Sequence, residues 1–113
     1  MTLDGLREGA RKLSAARSEA RRDYERYAEE AATAEREYRV TLAKVFARER
    51  SAGEPAGASE ILAKAAASEA GHRRDLATSL AKSALLRIEA LERDAATLRS
   101  IADWSQRIDG GAG

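Results

Sequence analysis

One helix-breaking segment divides this chain into two stretches of nearly equal length. Residues 52–58 contain Gly53, Gly57 and Pro55, and Pro55 is the only proline in the 113-residue sequence. Glycine and proline interrupt helices and favour turns, whereas the flanking stretches are rich in alanine, leucine and charged residues, which favour helix. The sequence therefore predicts two long helices joined by one turn.

The helix boundaries follow from these start and stop signals. We expect helix 1 over about residues 3–51, a turn over 52–58 and helix 2 over about 59–107. Ser59 is the expected N-cap of helix 2, since a serine side chain can accept a hydrogen bond from a free backbone N–H. The glycine-rich tail, residues 109–113, is expected to be disordered.

Both stretches carry apolar residues at alternating spacings of three and four, the repeat of a coiled coil. Alanine fills most of this seam in the first part of helix 2, which allows two helices to approach closely. The larger residues expected to form the core or oligomer seam are Leu13, Tyr24, Tyr27, Tyr38, Val45, Leu80, Ile88, Leu91 and Leu98. The sequence predicts an all-α fold: a long antiparallel two-helix hairpin, or coiled coil, forming a single domain over residues 1–113.

Folding the chain at the turn predicts which residues face each other. A turn near residue 55 pairs positions whose numbers sum to about 110 in an antiparallel coiled coil. This register places Glu37 opposite Arg73 and Arg74, and Tyr38 in the region of His72. Opposite charges across the seam favour a single register.

The same register places two further arginines, Arg21 and Arg22, opposite Glu89 and Glu92. These pairs would fix the alignment of the outer part of the hairpin.

The composition predicts a thin core that one hairpin does not complete. Aromatic residues make up only 4% of the chain and charged residues 35%. Small proteins with little core material are commonly stabilised by oligomerisation. We therefore expect a homo-oligomer, a dimer or a tetramer, assembling into a helical bundle.

Charge and cysteine content narrow the range of functions. The 20 basic and 19 acidic residues leave a formal charge of +1, which gives no overall electrostatic attraction for nucleic acid or an anionic membrane. There is no cysteine, hence no disulfide framework, thiolate zinc site or thiol catalysis.

No segment has the length and apolarity of a membrane span, so we expect no membrane partner and a cytoplasmic location. No catalytic or cofactor-binding motif is recognisable, and we predict neither enzymatic activity nor a cofactor.

Two arginine doublets and one tryptophan are candidate partner or nucleic-acid contacts. The doublets are Arg21-Arg22 and Arg73-Arg74, and Trp104 lies near the end of helix 2. Arginine side chains can bind phosphates, but arginines with acidic neighbours three or four residues away are also typical of a solvated helix face. Trp104 suits either an interface contact or a plug at the end of the core.

A possible metal motif lies in helix 2. Glu69 and His72 form a Glu-x-x-His spacing, which on a helix places a carboxylate and an imidazole on one face and is half of a di-iron site in four-helix bundles. In outline the chain resembles the two-helix encapsulated ferritins. Arg73 and Arg74 directly follow His72 and would repel a cation, so a surface histidine or one bonded to tyrosine is the alternative.

A second resemblance rests on residues 35–39, 73–77, 98–101 and Trp104. In these segments the chain resembles small helical proteins encoded by phages and prophages of actinobacteria. The resemblance implies a viral setting, a location in the host cytoplasm and a link to DNA metabolism. The residues alone favour a non-enzymatic interaction or scaffold protein with an unidentified protein partner. The resemblance adds a first alternative, an accessory nucleic-acid-binding factor of phage recombination or replication. The second alternative is an iron-binding hairpin.

Overall fold

The computed structural model describes residues 2–112, with side chains described over residues 2–109. Helix α1 spans Leu3–Ser51 and helix α2 spans Ala56–Ala112, and this described part of the chain contains no strand. The two helices form an antiparallel hairpin, which confirms the predicted all-α fold class. Assembly of the hairpin into a larger bundle stays a prediction.

Helix α1 ends in a left-handed glycine cap. Gly53 has φ +93°, and its N–H donates to the Arg50 carbonyl at 3.1 Å. The N–H of Glu54 reaches back to the Glu49 carbonyl at 3.0 Å. This pair of bonds is the Schellman motif, which satisfies carbonyls at the helix end and requires a residue with positive φ. Gly53 therefore determines where α1 stops.

Helix α2 begins three residues before the predicted start, and the prediction of Ser59 as its N-cap is wrong. The carbonyl of Pro55 accepts the N–H of Ser59 at 2.9 Å, so Ala56 is already helical. Pro55 is thus the N-cap residue of α2, and it has no N–H to leave unpaired. Ser59 is instead a fully buried residue in the first turn, and its hydroxyl donates to the Glu54 carbonyl at 3.4 Å.

The far end of α2 also differs from expectation. The helix continues past residue 107 to Ala112, so residues 109–112 of the expected disordered tail are helical, while Gly113 lies outside the described residues. Glycine lowers helix propensity by about 1 kcal/mol relative to alanine but, unlike proline, keeps its N–H donor. No residue in the tail blocks continued helical hydrogen bonding.

The hairpin consists of two compact units, each containing part of both helices. The turn unit is residues 25–81, and the terminal unit is residues 1–24 together with 82–113. Each unit is described by its own contacts.

The core of the turn unit consists almost entirely of small side chains. Its buried apolar residues are Ala34, Val45, Ala63, Ala67, Ala70 and Ala77. The predicted alanine seam of α2 is therefore present. Burying a methyl group stabilises the fold by on the order of 1 kcal/mol or less, so this core is weak for its length.

The terminal unit has a similarly small core. Its buried apolar residues are Leu6, Ala20, Ala84 and Ile88. Gly9 of α1 packs against Leu98 of α2: a Cβ built on Gly9 would lie 3.5 Å from the Leu98 Cδ2. Across residues 2–112, neither helix has a stretch long and apolar enough to cross a membrane.

Candidate interaction surface

Tyr38 of α1 packs against α2 in the turn unit. Its ring lies against Gly71, where an added Cβ would be 3.2 Å from both Cδ2 and Cε2 of the ring. The guanidinium of Arg74 covers the ring, with its Cζ 4.6 Å from the ring centroid, a cation–π contact. The absence of a side chain at position 71 makes room for Tyr38 between the helices.

Carboxylates complete this cluster and connect the two helices. Arg74 donates to Glu35 at 2.8 Å, and Arg39 donates to the other Glu35 oxygen at 2.7 Å. The bond from Arg74, and next that from Arg39, holds the pKa of Glu35 below its usual value, and the same carboxylate raises the pKa of Arg74. Arg74 and Glu35 are partly buried, at 28% and 33% exposed, which protects this pair from solvent screening better than a surface pair.

The arginine doublets are largely committed to contacts within the hairpin. Arg73 pairs with Glu37, the pairing expected from the register, and Arg74 pairs with Glu35 and Asp75. Guanidinium groups held in this way have less freedom to bind phosphates.

In the terminal unit, Arg21 lies 3.7 Å from Glu92, which is one of the two partners the register predicts for it. Arg22 is exposed, and no ion pair involves it within residues 2–112. One arginine of this doublet therefore remains accessible.

His72 and Glu69 do not form part of a metal-binding group in the described chain. Both side chains are exposed, and no cluster of three or more histidine, cysteine, aspartate or glutamate residues suited to a metal is present among residues 2–112. Tyr38 lies in the region of His72, as the register predicts, and its ring packs on Gly71 and Arg74. His72 is a surface residue.

The residues predicted to form the seam differ widely in burial. Val45 and Ile88 are buried, Leu13, Tyr27, Tyr38, Leu91 and Leu98 are half-buried, and Tyr24 and Leu80 are exposed. A single hairpin thus covers only part of the seam. The remaining seam residues are partly or largely exposed to solvent.

Many large apolar side chains lie on the outside of the hairpin. Ile61 is 70% exposed, Trp104 60% and Leu76 54%. The other exposed large hydrophobic residues are Leu3, Tyr24, Val40, Phe46, Leu62, Leu80, Leu85, Leu86 and Ile108. Soluble monomers usually have few large contiguous apolar patches, and extended ones mark interaction sites.

Some of these residues were not identified from the seam pattern. Leu80 belongs to the predicted seam, and Leu76 and Leu85 lie beside it. Ile61, Leu62, Leu86 and Val40 do not belong to it. Adjacent apolar residues such as Ile61-Leu62 and Leu85-Leu86 were the available signal, since neighbours differ by about 100° around a helix and both cannot face the same partner.

An open groove in the turn unit contains part of this exposed surface. It has a volume of about 480 Å³, and Leu76 and Leu80 line it on α2. The charged side chains along it are of both signs: Arg26, Glu29, Glu30 and Arg73. We call Leu76 and Leu80 the leucine edge. It is an apolar surface bordered by two basic and two acidic side chains.

Comparison with family models, curated proteins and solved structures finds no significant match of any of the three kinds.

Proposed function

We propose that this chain is a non-enzymatic helical hairpin that self-associates and serves as a scaffold for a protein partner. The observation that carries the proposal is the distribution of side-chain size. Alanine dominates the core while leucine, isoleucine, phenylalanine and tryptophan side chains are exposed. Burying a leucine-sized side chain is worth about 1.5–3 kcal/mol, so covering these residues provides a driving force for association.

The total surface supports the same proposal. The chain exposes 8142 Å². A folded monomer of 12.2 kDa is expected to expose about 6,100 Å². The difference, roughly 2,000 Å² for one chain, exceeds the roughly 800 Å² that each partner buries in a standard protein–protein interface.

The leucine edge provides a direct test of self-association. Leu76→Gln with Leu80→Gln replaces two exposed apolar side chains by good helix formers, so any loss of helix content in this variant reflects dissociation and not a loss of helix propensity. Light scattering should show a lower mass than wild type at the same concentration. A matched control, Ala65→Gln with Ser79→Gln, changes exposed residues elsewhere on α2 and should leave the mass unchanged. Equal masses for all three proteins would contradict a role for this edge.

A nucleic-acid function is less well supported. Arg73, Arg74 and Arg21 are engaged with carboxylates, and the formal charge is only +1. We expect a single strand of about 30 bases to bind weakly at physiological salt, because a balanced surface releases few counterions. Tight, salt-dependent binding that is lost in Arg21→Ala/Arg22→Ala would favour the nucleic-acid alternative. The phage setting rests on the resemblance and stays a prediction.

A further inference from the structure

The terminal unit contains a second groove, of different character from that of the turn unit. It lies between α1 and α2 and has a volume of about 300 Å³. Its apolar part includes Leu6, Leu13 and Leu98 together with alanines of both helices. The charged side chains that line it are Arg7, Arg17 and Arg99, with no carboxylate among the lining residues.

The arginines of this groove differ from Arg73 and Arg74 in their pairing. Within residues 2–112, no ion pair involves Arg7, Arg17 or Arg99, in contrast to the paired Arg73 and Arg74. Arg17 is half-buried at a seam position, where arginine can pack its aliphatic stem on apolar surface and keep its charge in water. The groove therefore combines an apolar floor with cations available to a ligand.

We infer that this groove binds an acidic amphipathic helix of a partner protein. An amphipathic helix places its apolar face in a groove through residues at spacings of three and four. Glutamates bordering that face would meet the guanidinium groups, and paired arginine–carboxylate contacts are among the strongest hydrogen bonds in proteins. The inference deepens the proposed scaffold function and rests on it.

The positions of the arginines define the charge pattern of the partner. Arg7 and Arg17 are separated along α1 by roughly 15 Å, or about three helical turns. Leu98 packs on Gly9, so its neighbour Arg99 lies on α2 at nearly the level of Arg7. A matching helix carries two acidic residues about three turns apart on one border of its apolar face, and a third acidic residue on the other border, nearly level with one of them.

A second copy of this chain matches the groove less well than a separate acidic helix. The leucine edge is bordered by Arg26 and Arg73 as well as by Glu29 and Glu30. Its charges are mixed in sign, so it presents no border of carboxylates alone to Arg7, Arg17 and Arg99. Charge complementarity thus favours a partner whose apolar face has acidic borders only.

The inference is tested with a labelled synthetic helix of about 18 residues, or roughly 27 Å, with leucine at heptad spacing and glutamate in the pattern above. Fluorescence anisotropy on the full chain should show saturable binding that weakens with added salt. The same peptide with glutamine for glutamate should bind roughly tenfold more weakly or worse. Equal binding of the two peptides would overturn the inference.

Variants of the protein locate the binding site. Arg7→Gln/Arg99→Gln should weaken binding of the acidic peptide by roughly tenfold or more. The control Arg22→Gln/Arg93→Gln removes the same charge from exposed residues that do not line the groove, and it should bind like wild type. Equal losses in both double variants would indicate attraction by general charge and would overturn the inference.

Two further measurements separate the inference from its alternatives. The first is competition of the peptide by unlabelled single-stranded DNA or by oleate. If either displaces the peptide, and the peptide itself binds no better than its glutamine form, the groove binds another class of anion. Light scattering of the same samples reports on the scaffold proposal independently. An oligomer that does not bind the peptide overturns the inference alone, whereas a monomer that does not bind overturns both.

Discussion

Substitution by alanine should affect the stability of the protein differently at Gly9 and at Gly71, because Tyr38 packs against Gly71. Gly9→Ala should stabilise the protein, because its new Cβ meets Leu98 at 3.5 Å, an ordinary van der Waals distance. Replacing a glycine by alanine inside a helix is worth about 0.8–1 kcal/mol. For a chain of this length, that gain corresponds to a rise of about 4 °C in melting temperature.

Gly71→Ala has the same helix-propensity gain but a steric cost. Its Cβ would lie 3.2 Å from two carbons of the Tyr38 ring, and Arg74 covers that ring and limits its movement. Overfilling a packed site costs typically 1–3 kcal/mol. The expected change in the free energy of unfolding therefore ranges from about zero to a loss of about 2 kcal/mol. Gly71→Ala should thus be at least about 1 kcal/mol less stable than Gly9→Ala.

Urea unfolding followed by circular dichroism, at one protein concentration, measures both variants. The concentration is fixed because dissociation of an oligomer contributes to its apparent stability. Repeating Gly71→Ala in a Tyr38→Ala background removes the ring and should restore the full gain, a coupling that a double-mutant cycle detects. If Gly71→Ala stabilises wild type as much as Gly9→Ala does, the packing of Tyr38 on Gly71 is wrong.

Three further predictions concern the turn, the ion pair and the histidine. Gly53→Ala should lower the unfolding free energy by about 1 kcal/mol or more, because φ +93° is strained for alanine; unchanged urea unfolding would contradict this. The pKa of Glu35 is lower in the folded protein than its ordinary value of 4.5, so its ion pairs stabilise the fold above pH 4.5, and this stabilisation is lost as the pH falls through the lower folded pKa. Below pH 4.5, the melting temperature should therefore fall more steeply for wild type than for Glu35→Gln. Parallel curves of melting temperature against pH would refute the pairing. His72→Gln should change the unfolding free energy by less than about 0.5 kcal/mol, since the side chain is exposed, and elemental analysis of protein grown with iron should find far less than one metal per chain in both forms. Stoichiometric iron in wild type that disappears in the variant would restore the metal hypothesis.

The sequence predicted the hairpin because its strongest signals are local. Pro55 and Gly53 mark the turn, and heptad spacing identifies the faces that meet. Opposite charges then set the register closely enough to predict the Glu37–Arg73 pair and a partner of Arg21. Each of these signals depends on nearby residues or on simple antiparallel counting.

The errors arise where one residue changes the outcome. Tyr38 does face the region of His72, but neighbouring helical residues point about 100° apart, so its ring contacts Gly71 while the His72 side chain is exposed. Ser59 has the chemistry of an N-cap, but the helix already begins after Pro55, so Ser59 lies within the first turn, where its side chain is buried. Heptad spacing also treats Leu80 and Val45 alike, although only Val45 is buried within the hairpin.

The mass of the wild-type protein in solution tests self-association most directly. Light scattering coupled to size-exclusion chromatography, over a dilution series into the micromolar range, should give a multiple of 12.2 kDa with full helix content. A dimer or tetramer that loses helicity as it dissociates is the expected result, because the alanine core of one hairpin buries little apolar surface. A fully helical monomer of 12.2 kDa across the whole series would contradict the account.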